Sequence, residues 1–421
     1  MTLNAGHTIS LTIDKPAAGG RMIARADGQV VLVSGAIPGE RVRARVERVA
    51  KGVAYAETTA IEEPSADRRD AMADPLCGGC LYNHIAYPRQ LDIKSEVIAD
   101  AFTRIGRIEL PSAVGVVESP EEGYRMRARL HVRGHRVGFF REGTHDLCDA
   151  RRTRQLLPAT CDALDRLAAA ARSLGIETIR EIELAENLDA SERVISVDPT
   201  AAVEARTLER LSGTDGLSGV LSPFGVHGSA HVTDRLAIGG RPVALRRHVL
   251  AFFQGNRFLI GRLVAHVVDQ VPPGSEAIDL YAGVGLFAIG VSTLPGVRVT
   301  AVEGDRIAAE DLAANAAAAG GSIVALRRPV EDFVARVQPP RDIRHGTVIV
   351  DPPRTGLSRE AIDGVLRMQA GRLVYVSCDV ATLARDGRRI VDAGYAISKA
   401  DAFDLFPNTP HVETVVVFNR T

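Results

Sequence analysis

At 421 residues the chain has room for about three domains of ordinary size. Fifty-one Lys and Arg stand against 52 Asp and Glu, so net charge by itself selects no polyanionic partner, and no apolar stretch approaches the roughly 18 residues of a membrane span. Five cysteines form an odd, sparse set unlike a disulfide framework, and the stretch from Met1 to His7 lacks the charged-then-apolar pattern of a secretory leader, so a cytoplasmic, reduced protein is expected.

Residues 7 to 62 read as short strands. Ile9 to Ile13 alternates apolar and polar residues, and Met22 to Ala26 with Gln29 to Val33 makes a hairpin turning at Asp27-Gly28. Arg41 to Val46 sets charge against apolar residues, and Ala54 to Ile61 supplies another strand. About five strands in so short a span predict a small OB-like barrel. Glu62 to Asp70 reads as a linker, followed by the turn Cys77-Gly-Gly-Cys80. Tyr87 to Ile105 has a helical period through Leu91, Ile93, Val97, Ile98, Ala101 and Phe102. Strands are expected over 123 to 157, and Gly123 to Gln155 holds nine Arg against one Glu and two Asp. That excess suits phosphate contact, although a solvated strand face has the same composition. An alanine-rich helix spans Leu156 to Leu174, and residues 175 to 245 mix strand-like and glycine-rich stretches.

From Phe258 onward helix and strand alternate, the pattern of a doubly wound sheet. Ligands bind such sheets outside the carboxyl ends of the strands, and here those ends carry chemistry. Gly283-Val-Gly285-Leu-Phe-Ala288 matches the dinucleotide glycine pattern, and Glu303 closes the next strand, where a carboxylate can accept from ribose hydroxyls. Asp351-Pro-Pro-Arg354 follows the strand ending at Val350, and its prolines stiffen the turn that holds the carboxylate. Cys378 ends the run Leu373 to Ser377. A thiol in that place is often a buried small hydrophobe. Glu413 changes the balance: if Tyr395 to Lys399 is a parallel strand and the chain returns antiparallel, Glu413 falls on the same rim as Cys378, Asp351, Tyr281 and Glu303.

These residues resemble the RNA (uracil-5-)-methyltransferases, in particular the branch with an N-terminal TRAM domain that modifies 23S rRNA, and the resemblance covers nearly the whole chain. Gly28 to Glu40 looks like TRAM. Phe252-Phe253-Gln254-Gly-Asn256 looks like the family's cofactor-entry motif. Asp351-Pro-Pro-Arg-Thr-Gly356, Tyr375-Val-Ser-Cys-Asp379 and Phe406-Pro-Asn-Thr-Pro-His-Val-Glu413 look like its catalytic motifs. The family usually has Asn where Asp379 stands. The resemblance implies an S-adenosyl-L-methionine-dependent α/β enzyme with three parts: a TRAM-like OB barrel over 1–64, a central RNA-binding region over 65–244, and a Rossmann-like methyltransferase domain over 245–421. It implies Cys378 as nucleophile, Glu413 as base, Gln254, Tyr281, Glu303 and Asp351 as cofactor contacts, and RNA, most of all 23S rRNA, as partner, with a monomer expected. Phe252 could stack on a flipped base or serve as a core aromatic.

The family also has a four-cysteine iron–sulfur site whose middle looks like Cys77-Gly-Gly-Cys80. Ala71 and Thr153 stand at its outer positions, Cys148 is the nearest substitute and Cys161 a weaker one. A cluster needs four thiolates, so a turn closed without metal is expected. The chemistry requires a thiolate adding to C6 of uracil to activate C5, and a carboxylate removing the C5 proton. A cytosine-C5 enzyme would show a Pro-Cys or Thr-Cys-Ser nucleophile context, absent here. A tRNA uracil enzyme shares the catalytic motifs, a non-catalytic RNA-binding protein would not need Cys378 and Glu413, and a nicotinamide oxidoreductase has no use for the thiol.

Overall fold

Alternation closes the first sixty residues into a barrel. In the computed structural model, β1 (Thr8–Pro16), β2 (Met22–Ala26), β3 (Gln29–Ser34), β4 (Arg41–Ala50) and β5 (Val53–Glu63) form a closed barrel in the order β1-β2-β3-β5-β4. The structure describes residues 3–134, 136–176, 179–199, 205–320, 322–336 and 341–421. β4 shows the cause of closure: Val42, Ala44 and Val46 are buried while Arg41, Arg43 and Arg45 face solvent, the period of two of a half-buried strand. The β2–β3 hairpin turns at Asp27 and Gly28, both at positive φ, as a tight two-residue turn demands.

Helix α1 (Tyr87–Ala101) and the short β6 (Gly115–Val117) come next, then a mixed central region. Its strands are β7 (Arg127–Arg133), β8 (Arg136–Phe140), β9 (Leu147–Asp149), β10 (Ile179–Glu186), β11 (Arg193–Pro199), β12 (Gly219–Ser222) and β13 (Gly225–Gly228), in the sheet order β13-β12-β11-β10-β7-β8-β9. Helices α2 (Pro158–Ser173) and α3 (Ala205–Ser212) cover one face, where Leu164, Leu167 and Leu208 meet Leu130, Ile182 and Leu184. Of the stretch 175–245, residues 177–178 and 200–204 lie outside the described residues. β14 (His231–Ile238) and β15 (Arg241–His248) make a two-stranded ribbon leading into the last region.

The arginine-rich run is less of a free positive field than its composition suggests. Arg129 pairs with Glu183 and Glu181, Arg141 with Asp74, Arg151 with Asp162 and Asp165, and Arg154 with Glu122. Each of these acids lies outside 123–155, so a count within the segment could not see them.

The doubly wound region contains α4 (Ile260–Val268), β16 (Glu276–Leu280), α5 (Leu286–Ser292), β17 (Arg298–Glu303), α6 (Arg306–Ala319), β18 (Ile323–Arg327) and α7 (Val330–Arg336). It continues with β19 (Thr347–Val350), α8 (Arg359–Met368), β20 (Arg372–Ser377), α9 (Val380–Asp392), β21 (Tyr395–Phe403) and β22 (Glu413–Arg420). The sheet order is β18-β17-β16-β19-β20-β22-β21-β6, parallel except for β22, which runs antiparallel to both neighbours. The strands are near-continuous apolar runs because both faces are covered. Ile349, Val374 and Val376 meet α4 and α5 on one face, while Val348, Val350, Leu373 and Tyr375 meet α1, α8 and α9 on the other. The edge strand β6 and helix α1 come from the segment 65–244, so that stretch is stitched into the last sheet.

The cysteines depart from expectation. Cys77 and Cys148 are joined in a disulfide across 71 positions of sequence, while Cys80, Cys161 and Cys378 are free. The reason is tertiary. Gly78 N–H donates to the Phe140 carbonyl, laying the cysteine turn along β8, and β8 pairs with β9, which carries Cys148. Strand pairing brings the two sulfurs together, and no spacing rule within the sequence reveals it. Gln155 closes the turn from above: its amide donates to the Gly78 carbonyl at 2.8 Å and fills the space where a Cβ on Gly79 would lie. Cys77 and Cys148 are thus committed to each other, and burial pushes the remaining Cys80 thiol up to about 12. The residues present do not fit a four-thiolate cluster. No helix among the described residues is long and apolar enough to cross a membrane.

Candidate active site

The sheet's strand order reverses between β16 and β19, and a cavity of about 570 Å3 opens at the carboxyl ends there. Cys378, Glu413, Gln254, Tyr281, Glu303, Asp351 and Phe252, seven residues spread over 162 positions, all line it. Each arrives by a different local device.

On the cofactor side, Tyr281, Gly283 and Gly285 all take positive φ as the chain leaves β16. A Cβ on Gly283 would meet nothing within 4 Å, so the loop borders open space. The Asn315 amide on α6 donates to the Val284 carbonyl and fixes the loop from behind. Glu303 completes the cradle: one carboxylate oxygen accepts from Gly283 N–H at 2.8 Å, the other from Asp305 N–H at 2.7 Å. Both oxygens retain lone pairs for a diol. Beneath, Asp279 is fully buried with one oxygen accepting from Ala288 N–H and the other unpartnered, and burial drives its carboxyl well above the usual range.

Gln254 reaches over from the segment after β15, its amide 3.4 Å from Asp351 Oδ2. Asp351 keeps some residue surface, but its carboxyl is enclosed, and burial pushes it up to about 7, against the pull of the Gln254 hydrogen bond. Cys378 follows the last residue of β20 and is half-buried. Burial, with Glu413 beside it, pushes the thiol up to about 11, while the Arg354 guanidinium favours the thiolate. Glu413 begins β22, is 2% exposed and leaves Oε1 unpartnered. Burial and the Asp351 charge raise it well above an ordinary carboxyl, and Arg354 opposes them.

Phe252 is 62% exposed at the mouth, with the Arg127 guanidinium 5.7 Å from its ring centre, so it is not a core aromatic. The residue after Cys378, Asp379, caps α9 by accepting from Thr382 N–H at 2.8 Å, a bond that an Asn oxygen makes equally well. Among the lining residues to which sequence reasoning gave no role of their own are Arg127, Arg354 and Phe406. Arg354 was legible in its motif, and its place beside the thiol was the missing piece. Phe406 likewise opens the motif that ends in Glu413, while no pattern marks Arg127 apart from the other arginines of its strand.

A doubly wound sheet with a glycine loop, a carboxylate at the end of the next strand and a thiol and a carboxylate on the same rim is the architecture of a nucleotide-cofactor enzyme. A sequence model of the tRNA (uracil-5-)-methyltransferase family matches residues 226–421, and one of the TRAM domain matches residues 3–59. The chain is 32% identical to the 23S rRNA (uracil(1939)-C(5))-methyltransferase RlmD of Halomonas elongata over 97% of its length and 89% of the relative's. It is 32% identical to the enzyme of the same name from Methylococcus capsulatus over 98% and 97%. Its fold matches that of Pyrococcus abyssi tRNA (uracil-54, C5)-methyltransferase, solved with S-adenosyl-L-homocysteine, at a TM-score of 0.78 and 23% identity, covering 97% and 99% of the two chains. The chain belongs to the RNA (uracil-5-)-methyltransferase family. It is an S-adenosyl-L-methionine-dependent enzyme.

Proposed function

We propose that the chain methylates C5 of a uridine in 23S rRNA through a covalent adduct between Cys378 and C6. The observation that carries this reading is the placement of Cys378 and Glu413 side by side in one cavity with Asp351, Glu303 and Gln254. Glu303 would hold the ribose of S-adenosyl-L-methionine, Tyr281 and Asp351 its adenine and sulfonium ends, and Gln254 would fix Asp351. When bound, this cofactor supplies an electrophilic methyl group, for which C5 of uracil is too weak a nucleophile unaided.

The protein's part is to make C5 nucleophilic and then to release the product. Cys378 gives its proton to solvent, the Arg354 guanidinium favouring the thiolate, and its sulfur forms a bond to C6. The C5=C6 π pair moves toward the O4 carbonyl and leaves C5 electron-rich. After C5 is methylated, the Glu413 carboxylate takes the C5 proton. The pair of the broken C5–H bond forms C5=C6, and the S–C6 bond breaks with its pair leaving on sulfur, restoring the thiolate. Phe252 at the mouth would stack on the extruded uracil, since a base must leave its stack to reach C5. The three sequence regions, 1–64, 65–244 and 245–421, would divide the work into RNA grip by the first two and chemistry by the third.

The rRNA substrate rests on the two full-length relatives at 32% identity, whose names give 23S rRNA. Mapping 5-methyluridine in RNA from cells with and without this gene tests it. Loss of one 5-methyluridine from 23S rRNA is expected, and loss from tRNA instead would move the substrate to tRNA.

A further inference from the structure

The loop between β21 and β22, residues 404–412, carries Phe406 into the cavity and runs directly into Glu413. Its anchors come from far upstream. Asn408 is 6% exposed and sits at φ 63, a left-handed conformation. Its Oδ1 accepts from Arg69 at 2.8 Å and from the Gln90 amide at 3.0 Å, its N–H donates to Gln90 Oε1 at 2.9 Å, and its carbonyl accepts from Tyr82 N–H at 2.8 Å. Arg69 is itself held by both oxygens of Glu121 and by the Asn83 carbonyl.

The rest of the loop is pinned in the same way. Lys94 on α1, 1% exposed, donates to Asp404 at 2.5 Å and to the Phe406 carbonyl at 3.3 Å. Asn256, two residues beyond Gln254, donates to the Leu405 carbonyl at 3.1 Å. Pro410 lies against Gly20 of the barrel, where a Cβ would come within 2.9 Å. A connection between two strands of one sheet has no need of this much remote bonding merely to turn the chain. Its geometry matters at its carboxyl end, where the Glu413 carboxylate must meet one hydrogen on the substrate.

We infer that Asn408 is a positioning residue. It locks the 404–412 loop to the segment 69–94, and this lock sets the Glu413 carboxylate against C5 of the bound uracil. The inference rests on Glu413 being the base. The cysteine turn is tied to the same lock, because Cys80 N–H bonds to Cys77, Asn83 N–H bonds to Cys80, and Tyr82 between them bonds to Asn408.

Asn408→Gly tests this with little backbone cost, since glycine accepts positive φ while removing the acceptor. Asn408→Asp keeps the acceptor. Gln90→Met removes the side-chain bonds from the α1 side. Each full-length variant is assayed on a 23S rRNA fragment that the wild type methylates, for kcat, KM, calorimetric cofactor affinity and denaturation-resistant RNA–protein adduct. Asn408→Gly and Gln90→Met should lower kcat on the order of 10- to 100-fold, as for a reacting group misplaced by about 1 Å. KM should stay within about threefold, methylated adduct should accumulate, and Asn408→Asp should recover wild-type behaviour within about threefold. Wild-type kcat in both Asn408→Gly and Gln90→Met overturns the lock, as does joint loss of cofactor affinity and adduct, which marks a general collapse. Glu413→Gln is the control: if it builds no adduct, the reading of Glu413 falls, while a kcat loss in Asn408→Gly restored by Asn408→Asp still supports the lock.

Discussion

Cys378 and Glu413 stand across from each other, each one residue beyond the Ser377–Thr414 pair that closes the antiparallel register of β20 and β22. The reversal of β22 within a parallel sheet creates this apposition. A parallel strand in its place would present its first residue at the opposite edge. The two groups share a buried space in which the Glu413 charge disfavours the Cys378 thiolate.

Cys378→Ala should abolish methyl transfer while leaving cofactor affinity within a few fold, because the glycine loop and Glu303 are untouched. Calorimetry of cofactor binding beside a methyl-transfer assay checks both halves. Glu413→Gln should still form the adduct and fail to resolve it, seen as protein-bound RNA that survives denaturation. Wild-type turnover by the alanine variant would remove Cys378 as nucleophile.

Asp351 gives the pH dependence. Its carboxyl rises from 3.8 to about 7 in the folded chain. Sign: the folded protein holds a proton that the unfolded chain releases, so this contribution to stability is complete below 3.8 and lost as pH rises through 7. Paired acids such as Glu40 and Asp100, which are lowered, act in the opposite sense. The difference in melting temperature between the wild type and Asp351→Asn isolates the effect. It should move in favour of Asp351→Asn between pH 4 and 7 and then level off. A flat difference curve would contradict the buried carboxyl.

Phe252→Ala should weaken RNA binding through lost stacking, worth about 1–3 kcal/mol per base. The effect belongs in KM for RNA and in the fraction of extruded base, leaving cofactor affinity unchanged. A fluorescent base analogue at the target position would report it, and an unchanged KM would confine Phe252 to the cofactor side.

Cys148→Ser should lower the melting temperature of oxidised protein. A cross-link over 71 positions removes unfolded-chain entropy worth about 4 kcal/mol in the loop-closure account. Reductant should bring the wild type to the same value. Protein purified without oxygen should carry little iron. About four irons per chain, lost on changing Cys148, would replace the disulfide with a cluster.

Local signals along the chain are enough for the elements and for the chemistry at their ends. Alternation of period two specified the barrel strands, unbroken apolar runs specified the buried parallel strands, and the glycine loop, Asp-Pro-Pro-Arg and Ser-Cys motifs marked which strand ends carry function, because these signals are local. Tertiary structure alone decided what depends on partners distant in sequence. The acids that neutralise Arg129 and Arg151 lie on β10 and α2. Cys148 reaches Cys77 only because β8 and β9 pair beside the cysteine turn, which replaced the expectation of unpaired thiols. Burial raised Asp351 and Cys378, and burial is a property of packing. The hold of Arg69, Gln90 and Lys94 on the loop before Glu413 spans more than 300 positions, and hydrogen bonds across such separations leave no period or spacing by which a sequence could declare them.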